Sequence, residues 1–204
     1  VLRETRLPGA SFRGAAAARL DASTGALARA DFDEATLDGA DLSRAILDGA
    51  SFAHARLVDA SVEHAGATDA RFDGADLRLL RAEGATLAGA RMRSCRGQGA
   101  RFPGALLARA TFLGSSLEEA DFDGARLTFA VLQGCVLRGA RFDGADLRDA
   151  ALLSADLFGA RLEGADLRRA DLRGASLYAA ELHRARLDGA RLELANLRGT
   201  KLER

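Results

Sequence analysis

A five-residue repeat runs through all 204 residues of the chain without a change of register. Ala occupies 32 of the 40 positions that are divisible by five. A second column lies two positions further on, from Leu2 to Leu202, and 26 of its 41 members are Leu and eight are Phe. Any fold of this chain must bury both apolar columns, and that requirement excludes most architectures.

A five-residue spacing suits neither a continuous helix nor a continuous strand. On an α-helix, five residues advance a side chain by about 140° beyond a full turn, so the leucines would surround the helix. In a continuous strand a shift of five reverses the face, because side chains alternate with period two. Both columns face inward only if the chain turns between short, three-residue strands. Glycine favours such turns, and it lies two positions after 19 of the 41 members of the Leu/Phe column.

The spacing of the larger side chains indicates four pentads in each coil. Phenylalanine recurs at every twentieth position, at 12, 32, 52 and 72 and again at 102, 122 and 142. Such a period places these rings in stacked columns. About ten coils at about 4.8 Å each would form a rod about 50 Å long. The sequence therefore predicts an all-β chain, wound over residues 1–204 as one four-sided parallel β-helix.

The pentads resemble those of the pentapeptide-repeat family, whose motif is A(D/N)LXX. The segments ADLSR (40–44), ADLRR (165–169) and ANLRG (195–199) match this motif closely. The resemblance implies a right-handed quadrilateral parallel β-helix, or β-solenoid. One departure concerns the position before the central Leu or Phe, which is Asp in nine pentads and Asn in one but Arg in twelve. We expect these arginines to point outward and to alter the surface rather than the core.

Residue types that carry catalysis or bind metals are few. Cys95 and Cys135 fall in the Ala column two coils apart, so we expect about 10 Å between them, beyond the limit of about 7 Å for a disulfide. Neither has a second Cys or a His at a metal-ligand spacing. The three histidines form no recognisable nucleophile–base pair. The sequence thus predicts no enzyme, no metal and no cofactor.

The overall charge argues against direct binding of nucleic acid. The chain has 29 Lys+Arg and 29 Asp+Glu, a formal net charge of zero, whereas nucleic-acid binders usually carry a basic excess. No apolar run approaches the roughly 18 residues of a membrane span, so we expect no membrane contact. The resemblance also implies a possible role in DNA mimicry, because some members of the family imitate DNA and protect DNA gyrase or topoisomerase IV. Such mimicry requires an elongated anionic surface.

An acidic column on one face can be compared with that requirement. Its members recur at every twentieth position in most coils and are Glu63, Glu83, Asp123, Asp143, Glu163 and Glu203. A basic column lies two positions away on the same face, at Arg81, Arg101, Arg141, Arg161 and Lys201. We expect opposite charges to pair across neighbouring strands and to neutralise this surface, which disfavours DNA mimicry.

The strongest basic cluster lies in a segment without acidic residues, 85–117, and consists of Arg91, Arg93, Arg96 and Arg101. It is a candidate docking site for an anionic partner. Ordinary solvated surface is the alternative, since no aromatic residues interleave to stack bases.

Outward apolar residues form the candidate protein interface: Leu113, Phe129, Val131, Val136, Leu153, Phe158 and Tyr178. They fall on two adjoining faces over successive coils, with Phe129 at the corner before them. A contiguous exposed apolar surface is typical of an interface, whereas single apolar residues are common on any protein. A second, flatter strip of small residues lies on the face centred on Leu7 and includes Thr86, Ala88, Leu106 and Ala108.

These observations favour a non-enzymatic interaction scaffold or spacer with a protein partner of unknown identity. Because the chain lacks an initiator Met, we expect a fragment of a larger bacterial protein, located in the cytoplasm. The resemblance adds secretion-system adaptors as one setting, since some family members are fused to other domains. The alternative is a DNA-mimicking, gyrase-binding protection factor. Because no polar cap precedes Leu2 or follows Leu202, we also expect an end-to-end homodimer through the C-terminal coil.

Overall fold

In the computed structural model, which describes residues 1–201, the chain winds into stacked coils. Parallel bridges join positions that are 20 apart along the whole stack, from Arg6–Ala26 to Glu181–Lys201. One coil therefore comprises four pentads, and the fold is a parallel β-solenoid. Within the described residues there is no helix, and each strand is a single bridge residue rather than the three residues that the sequence suggested.

Each pentad uses its backbone groups in the same way. Leu27 donates its N–H to the carbonyl of Ile46 in the next coil at 2.8 Å, and Ile46 donates to the carbonyl of Gly25 at 2.9 Å. The corner is then closed by the N–H of Ala30, which donates to the carbonyl of Leu27 at 3.0 Å. These bonds satisfy the backbone in the interior, where an unpaired polar group would be costly.

Every corner adopts a backbone conformation that favours glycine. The residue before each member of the Ala column has a positive φ at all 40 corners from Glu4 to Gly199, and 21 of these corners are not glycine. A positive φ at the third residue of a four-residue turn is the mark of a type II turn. The chain thus turns sharply every five residues, and consecutive pentads lie on consecutive sides.

The four sides are named here by the order of their pentads. The first side comprises 20–24, 40–44 and the equivalent pentad of every later coil; the second 25–29 and 45–49; the third 30–34 and 50–54; and the fourth 35–39 and 55–59, each continued in the same way. Positions two residues apart within a pentad flank its central Leu or Phe and point outward on one side.

The two apolar columns form one continuous core, and their members are buried from position 22 to position 182. Phenylalanine rings of successive coils stack almost in parallel, with centroids 5.0 Å apart for Phe32–Phe52 and for Phe102–Phe122. Phe112 meets Phe122 edge to face at 5.7 Å. The core residues of the first and last coils are only partly buried.

The weakest pentad of the core, at Cys95 and Gly97, is completed by the next coil. A Cβ atom at Gly97 would lie 2.8 Å from Cδ2 of Leu117, so the larger side chain occupies the space that the glycine leaves. The buried hydroxyl of Ser115 accepts a hydrogen bond from the N–H of Cys95 at 2.9 Å and donates one to the carbonyl of Met92 at 2.7 Å. The polar substitution in the Ala column is therefore fully hydrogen-bonded.

Candidate functional site

The predicted interface residues occupy two sides and one corner of the solenoid. Leu113, Val131 and Leu153 lie on the third side; Val136, Phe158 and Tyr178 lie on the fourth; and Phe129 is the corner residue between the second and third sides. The corner between the third and fourth sides is formed by Gly114, Gly134 and Ser154 in this region. No heavy atom lies within 4 Å of a Cβ built at Gly114 or Gly134, so the corner is low in these two coils.

The aromatic residues on the fourth side are stacked on each other and remain open to solvent. The rings of Phe158 and Tyr178 have centroids 5.6 Å apart and planes 7° from parallel, and the residues are 47% and 43% exposed. The guanidinium of Arg138 lies 6.0 Å from the centroid of the Phe158 ring, within cation–π range. We call Arg138, Phe158 and Tyr178 the aromatic ladder.

The remaining interface residues differ in how far they reach into solvent. Leu113 is 38% exposed and Phe129 is 56% exposed, whereas Val131, Val136 and Leu153 are half-buried. Phe129 has a φ of 60°, and the guanidinium of Arg109 lies 6.0 Å from its ring centroid. Neither Arg109 nor Arg138 was named from the sequence. The sequence contained the information needed to find them, because each arginine precedes its aromatic partner by 20 residues, which is one full coil.

The predicted anion-docking residues, Arg91, Arg93, Arg96 and Arg101, lie on three different sides. Arg91 and Arg93 share the third side, Arg96 lies on the fourth and Arg101 on the first. Arg91 pairs with Asp73 at 3.0 Å, and Arg96 pairs with the buried carboxylate of Asp76 at 3.3 Å. The structure thus brings two of the four arginines together, and anion docking stays a prediction.

Three members of the acidic column of the first side pair with basic residues of the following coil. Nε of Arg141 donates to Oδ2 of Asp123 at 2.9 Å, and Nη2 of Arg161 lies 2.8 Å from Oδ2 of Asp143. Arg81 lies 3.4 Å from Glu63 in the same arrangement. The expected pairing of opposite charges is therefore present at three members of the column. Within residues 1–201, Glu83 and Glu163 form no ion pair, and Glu203 lies outside the described residues. Ion pairs therefore compensate part of the acidic charge on this side.

Both cysteines lie in the hydrophobic core of the described part of the chain. Cys95 and Cys135 are free and buried, and burial raises the pKa of their thiols to about 12 and about 11. Their Sγ atoms lie 2.9 Å and 3.0 Å from backbone carbonyl oxygens of the core. Among residues 1–201 no group of three or more His, Cys, Asp or Glu is placed to hold a metal ion, and no helix there could cross a membrane.

Comparisons with known proteins agree with this architecture. A family model described as pentapeptide repeats matches the chain with eight copies of the repeat. The matched residues are 27–63, 98–128, 120–157, 155–193 and 165–204. Comparison with curated proteins found no match.

Two solved structures illustrate the range of the likeness. HetL, a pentapeptide repeat protein involved in heterocyst differentiation regulation from the cyanobacterium Nostoc sp. strain PCC 7120, is 32% identical with a TM-score of 0.87. That match covers 98% of this chain and 87% of HetL. A trypsin-treated variant of QnrB1, a plasmid-mediated fluoroquinolone resistance protein, is 17% identical with a TM-score of 0.50 over 98% of this chain and 92% of that one. The second likeness concerns the fold alone. Because the family model matches more than half of the chain, and HetL is similar over almost all of it, this protein belongs to the pentapeptide-repeat family.

Proposed function

We propose that the chain is a non-enzymatic interaction scaffold that docks a protein partner on the aromatic ladder and the apolar residues beside it. Pentapeptide-repeat proteins are generally structural or interaction modules without enzymatic activity. The observation that carries the proposal is the open stack of Phe158 and Tyr178, which lies on the side next to that of Leu153, across the corner residue Ser154. Exposed aromatic residues of this kind are common anchors of protein interfaces.

The rigidity of the solenoid supports this role. Each pentad is tied to both neighbouring coils by backbone hydrogen bonds, and the core is buried without interruption from position 22 to position 182. Side chains on the surface are therefore held at fixed spacings before a partner binds. Such preorganisation reduces the entropy that is lost on binding. The aromatic ladder would meet its partner as a preformed surface.

We infer that the solenoid is right-handed and has about ten coils. We also infer that the chain belongs to a larger bacterial protein and is located in the cytoplasm. HetL is involved in the regulation of heterocyst differentiation, and we infer that this chain also acts in regulation through a bound protein. A role as a secretion-system adaptor is one form that such a scaffold could take.

Gyrase protection is the alternative function, and the charge pattern argues against it. A DNA mimic needs an uncompensated anionic surface, whereas Asp123 and Asp143 are paired with arginines of the next coil. A DNA supercoiling assay with gyrase, with and without a quinolone, tests this alternative directly. We expect no effect of the protein on either reaction. Restoration of supercoiling in the presence of the quinolone would favour the alternative.

The docking proposal is tested by a charge placed in the aromatic ladder. Phe158→Glu should abolish recovery of the natural partner in quantitative affinity purification from the source organism, because the carboxylate replaces an apolar anchor. Val58→Glu is the matched control, since Val58 holds the same place on the fourth side five coils earlier. Equal recovery of the partner with Phe158→Glu and with the unaltered chain would contradict the proposal. Circular dichroism melting curves should show that both variants are folded.

A further inference from the structure

A shallow trough lies on the second side, away from the aromatic ladder. Its floor consists of the small side chains of Ala88, Ala108 and Thr128. Leu106 and Arg126 line it beside them, and the ion pair of Asp146 and Arg148 lines it in the next coil. Leu106 is 37% exposed, so an apolar wall faces solvent at this point. The trough is therefore a concavity with an apolar floor.

The net charge of the trough is positive, because Arg126 and Arg148 line it together with a single acid, Asp146. The three pentads 85–89, 105–109 and 125–129 contain no acidic residue and carry Arg109 and Arg126. Both arginines are exposed, and within residues 1–201 neither takes part in an ion pair.

The acid that is nearest to Arg126 along the stack is already occupied. Asp146 is bridged to Arg126 through the backbone, but its two carboxylate oxygens accept hydrogen bonds from Arg148 at 2.8 Å and 2.7 Å. A bidentate pair of this geometry uses both oxygens of the carboxylate. Arg126 is thus left available for a carboxylate from another molecule.

Phe129 borders the trough next to Thr128 and is not explained by stability. Its φ of 60° is unfavourable for a residue with a Cβ atom, and glycine occupies 19 of the 40 equivalent corners. The ring also remains 56% exposed, so burial does not offset this strain. The contact with Arg109 at 6.0 Å holds one guanidinium beside the ring. An apolar surface and a cation are thereby presented together at the rim.

We propose that this trough binds an acidic segment of a partner protein. One apolar side chain of the segment would lie on the floor between Leu106 and Phe129, and its carboxylates would pair with Arg109 and Arg126. A nucleic-acid backbone fits less well, because it offers anions but no apolar side chain for the floor. The site is separate from the aromatic ladder, so it goes beyond the proposed function and can be tested independently of it.

The probe for this site is a random peptide library displayed on phage and selected against the full chain. We expect the enriched peptides to combine Asp or Glu with Leu, Ile, Val or Phe. Arg126→Glu and Phe129→Ala should each weaken binding of a labelled enriched peptide by about tenfold or more, as measured by fluorescence anisotropy. Added salt should weaken binding to the unaltered chain as well, because the contacts are partly ionic.

Two control variants separate this site from the rest of the surface. Arg71→Glu reverses an exposed arginine on the third side and should leave peptide binding unchanged, as should Phe158→Glu in the aromatic ladder. Selection of no peptide, or of peptides without acidic residues, would overturn the proposal. Binding that is insensitive to both Arg126→Glu and Phe129→Ala would overturn it too. Loss of binding with Phe158→Glu would move the site to the aromatic ladder and likewise refute the trough.

Discussion

Arg148 binds both carboxylate oxygens of Asp146, with Nε 2.8 Å from Oδ1 and Nη2 2.7 Å from Oδ2. The two residues flank the buried Leu147 and therefore point outward on the same side of one pentad. The same arrangement recurs at Asp166–Arg168 and Asp171–Arg173. Each Asp-Leu-Arg triplet thus carries its own counter-ion across a single core residue.

These pairs predict that the protein is less stable in acid. The hydrogen bond from Arg148 lowers the pKa of Asp146, and that from Arg168 lowers the pKa of Asp166. A carboxyl group whose pKa is lower in the folded state contributes stability that is fully present above its unfolded pKa of about 3.9. That contribution is lost as the pH falls through the folded pKa. Urea unfolding should therefore give a lower free energy of unfolding at a pH of about 3 than at about 7.

An Arg148→Met variant provides the control for this acid effect. Without the guanidinium, the pKa of Asp146 should return toward its ordinary value, and the loss of stability on acidification should be smaller. The difference should be modest, because the side chains of Asp146 and Arg148 are 26% and 42% exposed. A free energy of unfolding that stays constant or rises on acidification would contradict the prediction.

Two leucines of neighbouring pentads test which side chains build the core. Leu147 is fully buried, so Leu147→Ala should lower the free energy of unfolding by about 2–5 kcal/mol, because it leaves a cavity. Leu153 lies on the half-buried outer surface of the third side, and Leu153→Ala should cost well under about 1 kcal/mol. Chemical denaturation measures both. Equal costs for the two substitutions would show that the inward and outward positions are misassigned.

The two cysteines should be unreactive in the folded protein. Burial raises the pKa of Cys95 and Cys135 to about 12 and about 11, and only thiolates attack disulfide reagents. At neutral pH a chromogenic disulfide should release no colour from the native chain and should titrate both thiols after denaturation. Ser154→Cys, at an exposed corner, should react at once and serves as the positive control. Rapid reaction of the unaltered native chain would refute this prediction.

Self-association through the C-terminal coil remains a prediction from the sequence. A measurement of the molar mass in solution tests it. Leu194 is 95% exposed and Leu197 is 36% exposed, whereas Leu202 lies outside the described residues. Static light scattering should show the mass rising from monomer to dimer as the concentration is raised through the micromolar range, and Leu194→Glu should suppress this rise. A constant monomer mass would contradict end-to-end dimerisation.

The core was predictable from the sequence because the pentad period never changes. Once four pentads are assigned to a coil, the position of a residue within the coil fixes its side and its direction. That rule placed Leu147 inward and Phe158 outward, in agreement with their burial. The backbone conformation of individual corners was less predictable. Phe129 has a positive φ because the stacked coils require a turn there, although its own conformational preference disfavours it.

The surface shows why closeness in sequence is a poor guide in this fold. Arg91, Arg96 and Arg101 belong to three consecutive pentads, yet the corners place them on three different sides. By contrast, Arg138 and Phe158 are a whole coil apart along the chain, yet the guanidinium lies 6.0 Å from the ring centroid. The bidentate contact between Asp146 and Arg148 also escaped prediction, because it depends on side-chain rotamers that no periodic pattern specifies.

The four-pentad spacing of the bridges sets the unit in which such a chain can change length. Deletion of one pentad preserves the inward pattern of Ala and Leu but moves every later residue onto the neighbouring side. Deletion of one pentad between Phe158 and Tyr178 would thus separate the two rings while leaving the core intact. Loss or gain of a whole coil shortens or lengthens the rod and keeps every later surface in place. Evolutionary variation in length should accordingly favour steps of four pentads wherever a binding surface spans several coils.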